Sequence, residues 1–153
     1  MKDTSYYINQ LSKGKKIDTD FPDVDSKMLS IAQDASDLNL SITKLASKCG
    51  MDIRTMSNIM NGNSQPTKDH ILAICIVLKY DIVKTQDLLK TFDSALHIAH
   101  RERDKMIANE IATADPSLDG EDVLIHIDCD VLIPNGHTPI TNQMKHQIKK
   151  KML

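Results

Sequence analysis

Aromatic residues are scarce in this chain, which has no Trp, two Phe and three Tyr among its 153 residues. Long apolar runs are missing as well, because no stretch approaches the roughly 18 apolar residues that a membrane-spanning helix needs. The first residues also lack the apolar core of a secretory signal peptide. We therefore expect no membrane contact and a cytoplasmic location.

Cysteine is rare, and its three copies show no paired spacing, which excludes a disulfide scaffold and predicts reduced thiols. Two pairs of zinc ligands can be drawn, since His97 and His100 are three residues apart on a predicted helix and His126 precedes Cys129 by three. Without a paired CxxC motif, however, surface or structural roles are the commoner explanation for such histidines. We predict no metal site.

Sequence motifs of common catalysts are missing, with no phosphate-binding glycine loop, no nucleophile motif and no spaced pair of carboxylates. We therefore expect neither an enzyme nor a bound cofactor. The chain instead has an apolar share of 41%, in which Leu, Ile, Met and Ala dominate. That composition favours an all-α fold.

The formal charge of the whole chain is only −2, which is not typical of a protein that binds nucleic acid with its entire surface. The distribution of charge is uneven, however. Residues 41–70 carry four Lys or Arg against two Asp, and residues 144–153 carry four Lys and no acidic residue. A modest basic surface of this kind could neutralise a few phosphates in each subunit.

Residues 41–67 show the most informative pattern, which is that of two short helices joined by a glycine turn. Ser41 and Asp52 can each accept a hydrogen bond from the free amides of the turn that follows, so each is a plausible helix start. Gly50 lies between them, where glycine tolerates the left-handed conformation that often ends a helix. In the second helix, Ile53, Met56 and Ile59 recur at helical spacing and predict a buried stripe.

These features resemble the XRE/Cro family of helix-turn-helix domains, the fold of lambdoid phage repressors and many small bacterial regulators, over residues 27–92. The matching features are, in order, Leu45-Ala46, Gly50, the spacing of Met56 and Ile59, Asn61-Gly62, Pro66-Thr67 and an apolar helix with Ile71, Leu72, Ile74, Cys75 and Leu78. The chain departs from the family at three positions, where the family often has Gln near Ile42, Glu at Met60 and Gly at Lys79.

The resemblance implies a five-helix, lambda-repressor-like domain whose recognition helix, residues 53–60, enters the DNA major groove. Base contacts are then expected from its side chains Ile53, Arg54, Thr55 and Asn58. Phosphate contacts are expected from helix starts and adjoining loops, namely Ser41, Lys44, Lys48, Asn61, Asn63, Ser64 and Lys68. The alternative for the first set is that its members are solvated surface residues of a domain that contacts protein. The alternative for the lysines of the second set is a plain solvated face.

Three regions are predicted: an N-terminal arm (1–25), the helix-turn-helix domain (26–92) and a mainly helical C-terminal region with a basic tail (93–153). Further helices are expected at 26–37, 67–79, 83–91 and 94–112. The alternating charges of residues 101–105 predict intrahelical pairs on an exposed face. Residues 121–133 fit both a strand and a helix, and the acidic residues that follow Asp119 favour the helix.

The expected function is that of a sequence-specific regulator of transcription, of bacterial or phage origin, that binds double-stranded DNA as a homodimer and acts as a repressor. Residues 93–153 would provide dimerisation, partner binding or sensing. The alternative is a phage or mobile-element interaction protein that uses the same domain to bind a protein or RNA. The missing Gln near Ile42 and the low basicity favour that alternative.

Overall fold

The structure, a computed structural model, describes residues 24–141. Seven α-helices and no strand occur in this range, so the predicted all-α fold is confirmed. The helices are α1 (Leu29–Asp37), α2 (Ile42–Lys48), α3 (Ile53–Met60), α4 (Lys68–Val77), α5 (Ile82–Thr91), α6 (Glu102–Thr113) and α7 (Gly120–His126). The predicted N-terminal arm and basic tail fall mostly on residues 1–23 and 142–153, which lie outside the described residues.

Short irregular helices flank this set. A 3-10 turn at Ser26–Met28 precedes α1, while a π-helical segment at Ile127–Leu132 and a 3-10 turn at Ile133–Asn135 follow α7. The helical prediction for residues 121–133 is therefore confirmed over the strand. None of the helices in the described part of the chain is long and apolar enough to cross a bilayer.

The described residues form two compact units. The first unit comprises residues 24–46 and 52–65, and it holds α1, α3 and most of α2. The second comprises residues 47–51 and 66–141, and it holds α4 to α7 with the turn that joins α2 to α3. The boundaries predicted after residues 25 and 92 stay a prediction.

Side-chain caps confirm the helix starts predicted at Ser41, Asp52 and Thr67. In each case a side-chain oxygen accepts a hydrogen bond from a backbone amide two or three residues later, at 3.2, 3.0 and 3.1 Å respectively. At α4 the cap is reciprocal, because the Thr67 amide also donates to Nδ1 of His70 at 3.2 Å. These caps satisfy amides that the helices themselves leave unpaired.

The helix ends also follow the predicted chemistry, since Gly50 and Gly62 have φ angles of +66° and +81°. Three helices end at a residue that has a positive φ but is not glycine: Asn39 (+60°), Lys79 (+61°) and Asp93 (+58°). Lys79 is the position at which the resembled family often has Gly. The backbone therefore adopts the turn that glycine favours although the side chain is long.

Asp93→Gly is expected to raise the free energy of unfolding by about 0.5–1 kcal/mol. The substitution relieves about 1–2 kcal/mol of strain from the left-handed backbone of the folded protein. Part of this gain is offset because glycine gives the unfolded chain more conformational entropy. Urea denaturation measures the change. Asp87→Gly, inside α5, is the matched control and should destabilise the protein by about 1 kcal/mol. Equal effects of the two substitutions would contradict the prediction.

The helix predicted at 94–112 is wrong in its first part, because α6 begins only at Glu102. Side chains take the backbone groups that a helix would need. The side chain of Gln86 accepts from the Leu96 amide at 2.8 Å and donates to the Leu96 carbonyl at 3.0 Å. Asp104 accepts from the His97 amide at 2.7 Å. Residues 94–101 are consequently fixed as a non-helical connection.

The prediction of intrahelical pairs within residues 101–105 is also wrong. Arg103 forms two hydrogen bonds of 3.1 Å with the carboxylate of Asp69 and a third, of 3.0 Å, with the Thr138 carbonyl. Asp104 is 2% exposed and accepts from the ammonium of Lys68 at 2.6 Å. Two ion pairs, Lys68 with Asp104 and Asp69 with Arg103, therefore join the first turn of α4 to the first turn of α6.

A second close contact within the same unit fixes α7 against α4. A Cβ atom built on Gly120 would lie 2.1 Å from the carbonyl oxygen of Val77, far inside van der Waals distance. Only glycine allows the first turn of α7 to approach the backbone of α4 so closely.

Candidate nucleic-acid interface

Helix α3 has a sharply divided surface. Met56, Ile59 and Met60 are at most 2% exposed, and their spacing of three and four residues defines the buried face. Ile53 is 47% exposed, so the prediction that it belongs to the buried stripe is wrong. Met60 belongs to the buried face because it lies four residues after Met56. Ile53 does not, because it is the first residue of the helix, next to the turn that precedes it.

The four predicted base-reading residues lie in the first two turns of α3. Ile53 and Arg54 are exposed, and Thr55 and Asn58 are half-buried. The Arg54 amide donates to the Asp52 cap, while its guanidinium forms no ion pair with any residue of the described range. Such a surface offers an apolar group, a hydroxyl, an amide and a free guanidinium, which are groups that read base edges in a major groove.

The loop after α3 is held in one conformation by its own hydrogen bonds. The Asn61 side-chain oxygen accepts from the Asn63 amide at 3.0 Å, and the Asn58 carbonyl accepts from the Ser64 amide at 3.1 Å. The amide nitrogen of Asn61 can still donate, and Asn63 and Ser64 are exposed. All three predicted phosphate ligands of this loop therefore present donors on a pre-formed turn.

Ser41 and Lys44 lie at the start of α2, in the same unit as α3, and Ser41 is half-buried. The Ser41 oxygen caps the helix by accepting from the Lys44 amide, so its hydroxyl hydrogen can still donate to a phosphate. Lys44 is exposed. The described part of this unit nevertheless has only three basic residues against four acidic ones, so its electrostatic attraction to DNA is modest.

The other two predicted phosphate contacts, Lys48 and Lys68, already have anionic partners within the second unit. The ammonium of Lys48 lies 2.9 Å from a carboxylate oxygen of Asp119, and that of Lys68 lies 2.6 Å from one of Asp104. The hydrogen bond to Asp119 raises the pKa of Lys48 and lowers that of Asp119. A DNA phosphate would have to replace these carboxylates.

Neither carboxylate was identified from the sequence. Asp119 is 71 residues from Lys48, and Asp104 is 36 residues from Lys68, so no local spacing connects the partners. The alternating charge of residues 101–105 is the only sequence feature that includes Asp104, and it predicts pairing within the helix instead of pairing with Lys68.

The histidines do not form a metal site within residues 24–141, where no group of three potential ligands occurs. The prediction that His97 and His100 lie on a helix is wrong, because both lie in the non-helical connection before α6. His126 instead lies between two carboxylates, with Nδ1 at 2.9 Å from Asp130 and Nε2 at 3.2 Å from Glu110. The hydrogen bond with Asp130 is the main reason that the pKa of His126 is raised.

All three cysteines are free. Cys49 and Cys75 are buried, and burial raises the pKa of the Cys75 thiol to about 12 and that of Cys49 even further above its ordinary value. Both thiols are therefore protonated at neutral pH, which makes them poor nucleophiles and poor metal ligands.

Comparison with known proteins supports this geometry. Residues 37–84, about a third of the chain, match the model of a family described as Helix-turn-helix. No curated protein and no solved structure matches the chain at a significant level. The matched segment contains α2, α3, α4 and their caps. Residues 37–84 therefore form a helix-turn-helix segment that matches the XRE/lambda-repressor-like family, a kind of domain typical of DNA-binding regulators of transcription.

Proposed function

We propose that the protein is a sequence-specific repressor that reads the major groove of double-stranded DNA with α3. The observation that carries the proposal is the division of α3, in which Met56, Ile59 and Met60 are buried while Ile53 and Arg54 are exposed. Within residues 24–141 the guanidinium of Arg54 forms no ion pair. This division leaves a short helix with an exposed surface that carries groups able to contact base edges.

The proposal includes a homodimer in the cytoplasm and no catalytic activity. One recognition helix reads only a few base pairs, and two copies placed one DNA turn apart would read a palindromic operator. Repression follows if that operator overlaps a promoter. Residues 93–153 are the region that would hold the dimer together or bind a partner protein.

Selection of bound sequences from a random duplex library tests the proposal directly. The expected result is a palindromic motif with half-sites about 10 base pairs apart, centre to centre. Binding should weaken steeply with added salt, because each neutralised phosphate contributes about −0.9 to the slope of log affinity against log salt. Recovery of no enriched sequence, with no salt-dependent binding, would reject it.

Arg54→Ala is expected to weaken binding to the selected duplex at least about 5-fold, since a bidentate arginine contact is worth about 1–3 kcal/mol. Fluorescence anisotropy with a labelled duplex measures the loss. Arg101→Ala removes the same charge from an exposed arginine outside the predicted interface and serves as the matched control. Similar losses in both variants would indicate a general charge effect, not base reading.

A second function has one observation in its favour. The described part of the unit that contains α3 has more acidic than basic residues, and two large apolar side chains, Leu38 and Ile53, are 53% and 47% exposed there. Such a surface also suits a protein partner. If Arg54→Ala leaves DNA binding intact, or if no duplex binds, protein recognition becomes the better proposal.

A further inference from the structure

The C-terminal region supplies a carboxylate that neutralises a lysine of the helix-turn-helix segment. Lys48 ends α2, and its ammonium donates to Asp119 at 2.9 Å. The side chain of Lys48 is 30% exposed and that of Asp119 is 54% exposed, so solvent reaches both groups. An ion pair at this level of exposure contributes little to stability and can exchange partners readily.

Lys48 is one of the lysines predicted to contact the phosphate backbone, and it is the last residue of α2. Lys48 and Asp119 belong to the same unit. Their ion pair therefore takes one cation out of the set of predicted phosphate donors.

Lys48 is the main hydrogen-bond partner of Asp119, although Asp119 stands at the start of its own helix. It occupies the N-cap position of α7, where its side chain makes no full capping hydrogen bond. The amides of Gly120 and Glu121 contribute to the lowered pKa of Asp119, but less than the hydrogen bond from Lys48 does. Asp52 and Asp81, at the equivalent positions of α3 and α5, both cap their own helices. A carboxylate released from Lys48 could therefore move fully into the cap of α7.

We propose that Asp119 limits DNA binding by holding Lys48 away from the phosphate backbone. The inference rests on the proposed function and concerns the regulation of the same surface. A partner or modification that moved the Asp119 side chain into the cap of α7 would release Lys48 and raise the affinity for DNA.

The test compares the affinity of the full chain and its variants for a labelled duplex recovered by selection, over a range of KCl concentrations. Asp119→Asn should increase affinity about 5-fold to 10-fold at low salt and make the salt slope steeper by about 0.9 for each subunit bound. Asn is as good an N-cap residue as Asp, so this variant should fold, which thermal unfolding verifies. Asp122→Asn removes the same charge three residues along α7 and is the matched control.

Lys48→Met, made in the parent chain and in the Asp119→Asn variant, completes a double-mutant cycle. We expect the loss of affinity caused by Lys48→Met to be at least about 3-fold larger in the Asp119→Asn background than in the parent chain. Equal losses in the two backgrounds, or equal gains from Asp119→Asn and Asp122→Asn, overturn the inference and leave the proposed function intact. If neither the parent nor Asp119→Asn binds any duplex, the proposed function fails and the inference with it.

Discussion

Asp104→Ala is expected to lower the free energy of unfolding by about 3 kcal/mol, near the lower limit for breaking a buried ion pair because the side chain of Lys68 retains 24% exposure. Asp104 itself is 2% exposed and accepts from both Lys68 and the amide of His97. Its removal leaves a partly buried ammonium without its anion and a loop amide without its acceptor. Urea denaturation of the two proteins at neutral pH measures the difference.

The pKa of Asp104 predicts the direction in which its contribution to stability changes with pH. Burial alone would raise the pKa of Asp104, but the hydrogen bonds from Lys68 and from the His97 amide outweigh it, and the pKa lies below its ordinary value. Its stabilising contribution is therefore present above the unfolded pKa, about 4, and is lost as the pH falls through the folded pKa. The stability gap between the parent and Asp104→Ala should shrink in that acidic range. Glu102→Ala, an exposed acid on the same helix, should show a small gap at every pH.

The parts of the fold that the sequence predicts correctly depend on local chemistry. Caps at Ser41, Asp52 and Thr67 join a side chain to an amide two or three residues away, so the signal and its cause lie in the same short segment. The glycine turns at Gly50 and Gly62 are local in the same sense, because the requirement for positive φ belongs to one residue. Local causes of this kind are readable from a single sequence.

Residues 94–101 show where such reading fails. Leu96, Ile98 and Ala99 continue the apolar pattern of α6, and pattern alone extends the helix back to residue 94. The backbone there is bonded by the side chains of Gln86 and Asp104, which lie ten residues before Leu96 and seven after His97. A glutamine that bonds both backbone groups of one residue has no sequence signature, so tertiary contacts override the helical pattern.

The candidate interface divides in the same way. Amphipathic spacing locates the polar surface of α3, but it wrongly assigns Ile53 to the buried face because the pattern ignores where the helix begins. The sequence predicts phosphate-binding lysines only from their positions near helix ends and loops. Whether a lysine is available to a phosphate depends on anions far along the chain: Lys48 pairs with Asp119, whereas Lys44 is exposed and forms no ion pair within residues 24–141.

Asp128→Ala is also expected to lower the free energy of unfolding by about 3 kcal/mol, since it leaves buried donors unsatisfied at about 1–3 kcal/mol each. Asp128 is fully buried, and its carboxylate accepts from the amides of Ile140 and Thr141 at 2.6 and 3.2 Å and from the Thr141 hydroxyl at 3.2 Å. Asp130→Ala, on the exposed side of the same π-helical segment, is the control and should change stability by less than about 1 kcal/mol.

The pH dependence of Asp128 should have the opposite sign to that of Asp104. Burial raises the pKa of Asp128 despite its three hydrogen bonds, so the folded protein holds this proton more tightly than the unfolded chain does. Its contribution is then fully present below the unfolded pKa, about 4, and is lost as the pH rises through the folded pKa. Asp128→Asn cannot titrate, and the parent should therefore exceed it in stability by more near pH 4 than near pH 7. A gap that widens toward neutral pH would show that the carboxylate, held by its donors, is the favoured form in the folded protein.

Loss of the Asp128 side chain should also destabilise the turn that joins α2 to α3. Asp128 fixes the backbone at Ile140 and Thr141, and a Cβ atom built on Gly50 would lie 2.9 Å from the Cβ of Thr141. Gly50 adopts its positive φ directly against this segment, within the same unit, so Asp128 restrains the residues on which the turn rests. Hydrogen exchange of Asp128→Ala under native conditions should show faster exchange at residues 49–51 than at α6. Uniform acceleration across the second unit would mean that the carboxylate supports the core as a whole and not the turn in particular.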